Sequence, residues 1–300
     1  MTLELPSPPP DPRATWGLPA VGAMPRIAAL DEVTTRVLAP NPSPMTLDGT
    51  NTYVLGEPGS GVAVLVDPGP DVASHLARTR DVLAARDAEV AAIVVTHHHH
   101  DHAEAALGWA GALRTTVVAA SRAVAGPAGR VVGDGDVVVA GGLRLEVVAT
   151  PGHTADHLAL RTPTGAVLTG DHVLGRGTSV VAHPDGDLAA YLDSLRKVAG
   201  LGAHALLPGH GPELTEDPAA VLAYYRDHRA FRRRQVLAAL ADGPATPVGL
   251  VSVIYADVDR RLWPAAEAST RATLQVLADE GRVAWDADGI RLTDGTARDT

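Results

Sequence analysis

Val90-Ala91-Ala92-Ile93-Val94-Val95-Thr96-His97-His98-His99-His100-Asp101-His102 joins an apolar run to a cluster of histidines. A short continuous run of Val, Ile and Ala predicts a strand buried on both faces. The histidines begin where that strand ends. Read with gaps, the segment is His97-x-His99-x-Asp101-His102. Imidazole nitrogens and carboxylate oxygens at about 2.0–2.2 Å are the ligand set of zinc and similar divalent ions. Four such groups in so short a segment exceed what one tetrahedral ion with an open position can use. They suit two ions side by side, an arrangement that activates water for hydrolysis. A purification tag sits at a terminus, whereas this tract is internal and follows a core strand.

Three later segments repeat one device, an apolar strand running into a glycine-containing turn that carries a ligand-type residue. Leu145-Glu146-Val147-Val148-Ala149 leads into Thr150-Pro151-Gly152-His153. Ala166-Val167-Leu168 leads into Thr169-Gly170-Asp171, and Ala205-Leu206-Leu207 into Pro208-Gly209-His210-Gly211. Glycine lets the backbone turn sharply, so the neighbouring side chain can be aimed into a cleft. Upstream, Val62-Ala63-Val64-Leu65-Val66 runs into Asp67-Pro68-Gly69. Asp67 is either an ordinary turn residue or an acid behind the ligands that orients one of them.

His97-x-His99-x-Asp101-His102 followed by His153, Asp171 and His210 resembles the motif series of the metallo-β-lactamase superfamily. The resemblance implies that His97, His99 and His153 hold a first metal, that Asp101, His102 and His210 hold a second, and that Asp171 bridges them. It implies two Zn2+ per chain, with other divalent transition metals possible. The implied fold class is α+β: an αββα sandwich of two mixed sheets with helices outside and the metals along one edge. In the antibiotic-hydrolysing members the position matching Asp171 is usually a cysteine or otherwise altered, so a β-lactam substrate is not expected.

A closer resemblance covers about residues 33–285. Asn41-Pro42-Ser43-Pro44-Met45-Thr46-Leu47-Asp48-Gly49-Thr50-Asn51-Thr52-Tyr53 is similar to the opening segment of the β-lactamase-like-2 subfamily, and Thr150 to His157 and Leu207 to Pro212 fit the same group. Some members are endoribonucleases acting on single-stranded RNA, and related sequences include thioesterases. The organisation expected is a Pro-rich extension over residues 1–30, a catalytic domain over 31–222 and a winged-helix-like domain over 223–300.

Composition mostly excludes. The 300 residues suffice for one large domain and a small one, and 46% hydrophobic content supports a packed core. With no cysteine, disulfides are ruled out. The N-terminus carries an acid and several prolines where a signal peptide needs basic residues and an apolar run. No apolar run approaches the ~20 residues of a membrane span. A cytoplasmic protein with no membrane association is expected; homo-oligomerisation is left open. The net charge of −10 counts against a polyanionic partner without excluding one. The acidity lies in the first 220 residues, since eleven Arg balance eleven Asp and Glu from Val221 onward.

The C-terminal region reads as three helices and a hairpin. Pro218 to about Asp242 has helical patterning and Gly243-Pro244 ends it. Thr246 then Pro247 is an N-cap before a first-turn proline, opening a helix to Ile254. A third helix spans about residues 265–280, with Gly281 as its stop. Asp286-Ala287-Asp288-Gly289 turns a hairpin. A winged helix often binds DNA, but the third helix offers Arg271 alone against Glu267, Asp279 and Glu280. A cover over the metal cleft is the expected role, and Arg232-Arg233-Arg234 reads as a solvated helix face outside that cleft. The first twelve residues look disordered, and Asp134 and Asp136 read as turn acids.

His98 and His100 alternate with the ligands and should face away or sit behind the ligands. Asn51, His157 and His172 are candidate substrate contacts. The chemistry expected is a binuclear zinc hydrolase using a metal-bridging hydroxide, with Asp101 positioning the water and passing its proton to the leaving group. A small ester or thioester is the expected substrate. Single-stranded RNA is the alternative, and a nucleic-acid-binding regulator with an inactive enzyme domain the least favoured.

Overall fold

The computed structural model describes residues 6–243, 245–286 and 289–293. The chain first lays down β1 (Ile27–Ala29), β2 (Thr34–Leu38), β3 (Asn51–Leu55), β4 (Val62–Val66), α1 (Ala73–Ala85), β5 (Glu89–Val94), α2 (His100–Ala103), α3 (Ala106–Leu113), β6 (Val117–Ala119), α4 (Arg122–Ala125) and β7 (Arg130–Val131). These seven strands form one sheet in sequence order, antiparallel as far as β4 and parallel beyond it. Next come β8 (Val137–Ala140), β9 (Leu143–Ala149), β10 (Leu158–Arg161), β11 (Val167–Gly170), α5 (Leu188–Gly200) and β12 (Leu206–Pro208). The second sheet has the order β12-β11-β10-β9-β8, with β11 and β12 parallel.

Alternation along the strands explains the layering, because successive side chains leave opposite faces of a sheet. Val64 and Val66 of β4, Ala92 and Val94 of β5, and Leu143, Leu145 and Val147 of β9 meet in the core between the sheets. Ala63, Leu65 and Ile93 point the other way, onto Leu83 of α1 and Trp109 of α3. On the outer face of the second sheet, Val148, Ala159 and Val167 pack under Tyr191 and Leu195 of α5. The result is the helix–sheet–sheet–helix sandwich that the sequence resemblance implies.

The last part comprises α6 (Pro218–Leu240), α7 (Pro247–Ile254), α8 (Trp263–Asp279), β13 (Val283–Asp286) and β14 (Gly289–Leu292). Asp217 caps α6 by accepting from Ala220 N, and Pro218 occupies its first turn. Val221, Leu222 and Tyr225 of α6 belong to the core beneath the second sheet. Val236 and Leu240, farther along the same helix, join Leu250, Ile254, Leu274, Leu277, Val283 and Ile290 in a separate core. One unbroken helix thus runs through the boundary expected at 222/223 and serves both units. Thr246 caps α7 through Gly249 N, as its sequence predicts. Pro244, Ala287 and Asp288, the stop and turn residues read from the sequence, lie outside the described residues.

Residues 1–5 lie outside the described residues, and the end of the segment expected to be disordered runs into an ordered turn. Asp11 caps a single turn of 3-10 helix at Pro12–Thr15. Arg13 is buried there, bonded to Asp11 and to the carbonyls of Leu174 at 2.9 Å and Gly177 at 2.7 Å. A guanidinium with acceptors on three sides anchors a segment that composition alone reads as loose. Among the described residues no helix is long and apolar enough to cross a membrane.

Candidate metal centre

The carboxyl ends of strands from both sheets meet along one edge of the sandwich. Asp67 follows β4, His97 and His99 follow β5, and Asp101 and His102 sit on α2. His153 follows β9, Asp171 follows β11 and His210 follows β12. Gly170 has φ +46°, and a Cβ there would lie 2.7 Å from His157 Nε2 and 2.9 Å from Thr96 Oγ1. A Cβ on Gly209 would lie 2.6 Å from Asp171 Oδ1. Both glycines are needed for close approach, because side chains fill the space a Cβ would occupy.

All seven ligand-type residues singled out in the sequence come together, in two groups. His99 Nδ1 lies 3.1 Å from His97 Nε2 and 3.0 Å from His153 Nε2. In the second group His210 Nε2 lies 3.2 Å from His102 Nε2 and 3.1 Å from Asp101 Oδ2. Asp171 stands between them, with Oδ2 3.8 Å from His153 Nε2 and 3.4 Å from His210 Nε2. Its Oδ1 is buried without a hydrogen bond, and His102 Nε2 at 3.3 Å is outside hydrogen-bonding geometry. Nitrogens held about 2.0–2.1 Å from a tetrahedral ion stand roughly 3.3 Å from one another. The convergence of these atoms, with an orphaned carboxylate oxygen among them, fits a divalent metal.

The nitrogens facing away from the centre are held in turn, which fixes each ring's tautomer and direction. Thr96 donates its hydroxyl to Asp67 Oδ2 at 2.8 Å and accepts from His97 Nδ1 at 3.0 Å. His102 Nδ1 donates to the same Asp67 oxygen at 2.8 Å. His153 Nδ1 donates to Val180 O at 2.5 Å, and His210 Nδ1 to Gly49 O at 3.2 Å. Asp67 thus accepts from Thr96 and from His102 inside the cluster, which an ordinary turn residue would not do.

The electrostatics divide along the same line. Burial, reinforced by the neighbouring imidazoles, holds His97 well below its ordinary value and His99 at about 4. Burial also lowers His153, against the pull of Asp171. In the second group burial is outweighed: Asp171 and Asp67 hold His102 well above the usual range, and Asp171 and Asp101 push His210 up to about 9. Burial works against the charge on both carboxylates. His210 and His102 nonetheless keep Asp171 well below the usual carboxylate range and Asp101 at about 2.

The candidate substrate contacts Asn51, His157 and His172 are all buried and face protein instead. Asn51 Nδ2 donates to Pro208 O and Gly211 O, both at 2.8 Å, and so clamps the turn that carries His210. His157 accepts from Asp171 N at 3.1 Å and pairs with Thr150 Oγ1 at 2.8 Å. His172 packs against Tyr191 with ring centroids 4.7 Å apart. His98 points outward to Asp156 at 2.8 Å, and His100 is exposed.

The expectation for Arg232-Arg233-Arg234 also changes. Arg234 is exposed and Arg233 pairs with Glu280, but Arg232 is half-buried over the Tyr255 ring at 4.1 Å. Sequence reasoning gave no role to Thr96, Arg176 or Arg229. A threonine beside a histidine tract and isolated arginines carry no periodic or motif signal.

Comparison with known proteins agrees with the geometry. The family model of the metallo-beta-lactamase superfamily matches residues 45–210, and that of the beta-lactamase associated winged helix domain matches 246–291. The chain is 33% identical over 288 residues to a Drosophila melanogaster protein named beta-lactamase-like protein 2 homolog, covering 88% of this chain and 95% of that one. It is 30% identical over 276 residues to an Aspergillus chevalieri protein named atrochrysone carboxyl ACP thioesterase, covering 89% and 87%. A beta-lactamase domain protein from Burkholderia ambifaria shares the fold at TM-score 0.76 and 22% identity, covering 93% of this chain and 96% of its own. Fold, converging ligand set and relatives agree: the chain belongs to the metallo-β-lactamase superfamily and is one of its metal-dependent hydrolases.

Proposed function

We propose that this protein is a two-zinc hydrolase of a small ester or thioester. The observation that carries the reading is Asp171, whose one carboxylate oxygen approaches ligand nitrogens of both groups. His97, His99 and His153 would hold one ion, Asp101, His102 and His210 the other, and Asp171 both. When bound, such ions acidify water and polarise an acyl oxygen.

The chain's own residues supply the rest. Asp67, Thr96, Val180 O and Gly49 O keep four imidazoles aimed inward. Asp101 is the more exposed of the two central carboxylates, its side chain one-third accessible. It is the acid able to touch a water, orient it toward the acyl carbon and move its proton toward the leaving group. Hydrolysis then adds water across the acyl bond and releases an acid and a thiol or alcohol, with no protein nucleophile. The relative named as an ACP thioesterase supports an acyl substrate. The net charge of −10 weighs against RNA.

The test is a panel of acyl thioesters, lactones and single-stranded RNA offered to zinc-loaded protein. Thioester or ester turnover lost on chelation and restored by zinc is the expected result. Cleavage confined to RNA would overturn the reading.

A further inference from the structure

A second feature adjoins the metal centre. A cavity of about 370 Å³ lies between residues 44–47, the loop 174–180, and helices α6 and α8. Its size falls within the range of small-molecule sites. The loop that walls it also touches both ligand groups, since Val180 O accepts from His153 and Gly175 N donates to His210 O at 2.8 Å. Leu47, Leu174 and Val258 give the cavity an apolar lining.

Three guanidiniums, of Arg176, Arg229 and Arg232, line the same cavity, and among the described residues no Asp or Glu does. None of the three forms an ion pair with a described carboxylate, although the chain carries a net charge of −10. Arg229 is 6% exposed, bonded through Nη2 to Ser179 O at 2.5 Å. Arg232 Nη1 donates to Gln235 Oε1 at 2.8 Å, and Arg176 Nη2 donates to Pro19 O. The Nε atoms of all three arginines are buried and lack an acceptor. Unpaired buried donors are costly, and grouping three like charges adds repulsion, so the arrangement favours an anion between them.

We propose that this cavity seats the anionic end of the substrate, an acyl compound with an apolar body and a carboxylate or phosphate group. The inference rests on the acyl-hydrolase reading above and adds the charge of what is hydrolysed. Arg176 and Arg232 supply the recognition. Arg229, already braced on Ser179 O and stacked 4.8 Å from the Tyr191 ring, fixes the wall.

Calorimetric titration of zinc-loaded protein with hexanoate, hexyl phosphate and hexanol tests it without turnover. We expect one or both anions to bind, hexanol not to, and Arg232→Met to weaken anion binding by about tenfold or more. Arg232→Lys should restore part of it, and Arg176→Met should weaken it as Arg232→Met does. Tighter binding of the phosphate or of the carboxylate names the group. Metal-stripped wild type should retain the affinity, which separates this site from direct ligation. Equal affinity in both Met variants, hexanol binding as tightly as the anions, or loss of binding on metal removal would each overturn the proposal. So would capture of single-stranded RNA through these arginines with neither small anion bound. Because binding is read directly, failure of the acyl panel and failure of the anion site are separate outcomes.

Discussion

Asp67 and His102 are 35 positions apart in the chain, yet Nδ1 of the imidazole donates to Oδ2 of the carboxylate at 2.8 Å. The same carboxylate takes the N–H and hydroxyl of Thr96, so one buried acid directs His102 and, through Thr96, His97. We expect Asp67→Asn to weaken metal affinity by about 10–100-fold, read by competition with a chelator. Asn tolerates the φ of +51° at this position, so the fold should be retained. Wild-type affinity in the variant would show that the acid does not orient the ligands.

Removing Asp171 should act on both ligand groups, and removing His153 on one. Elemental analysis of wild type should find close to two zinc-like ions per chain. In His153→Ala it should find the first group depleted. Asp171→Ala should lose turnover while circular dichroism is unchanged. Normal activity in Asp171→Ala with both ions retained would contradict its place between the groups.

The two groups should respond differently to pH. His210, held at about 9, and His102, also raised, keep protons at neutral pH in the metal-free chain. An ion taking those nitrogens must displace the protons, so affinity at that group should strengthen as pH rises from 7 toward 9. His97, His99 and His153 are depressed and proton-free at neutral pH, so their affinity should be flat over the same window. Titrations at several pH values, with proton release followed in weak buffer, would read both. The linkage to folding has the opposite sign. The raised His210 stabilises the metal-free fold fully below about 6.5, and that contribution is lost as pH rises through 9.

Gly209→Ala is the smallest change that should disable the centre. The added methyl would fall 2.6 Å from Asp171 Oδ1 and 2.7 Å from His102 Cε1. We expect metal content to drop and turnover to fall with it, while far-ultraviolet circular dichroism stays native. Full metal occupancy in this variant would mean that the turn relaxes away from Asp171.

The strands and the ligand set were legible because they obey short-range rules. Apolar runs ending in glycine turns mark buried strands, and imidazole and carboxylate spacing marks metal chemistry. Asn51, His157 and His172 were legible as near the site but not in role, because polarity in a sequence does not say which way a side chain points. Asn51 spends both amide hydrogens on backbone carbonyls more than 150 positions away. Arg232 illustrates the same limit, since its neighbours Arg233 and Arg234 share its chemistry but not its environment. The helix from Pro218 to about Asp242 was legible, but that it serves two cores was hidden for a different reason: apolar spacing marks a buried face, not the partner that buries it.

That continuity makes helical phase a constraint. Each residue advances a helix by about 100°, so one residue inserted between Tyr225 and Val236 would rotate the second core relative to the first by that angle. Placed between Arg229 and Arg232, it would also swing those two side chains out of alignment with one another. Seven added residues, close to two full turns, would nearly restore the alignment while lengthening the span by roughly 10 Å. The tolerated lengths of this helix should therefore come in near-whole turns, which keep the arginines on the cavity side and the apolar residues in their two cores.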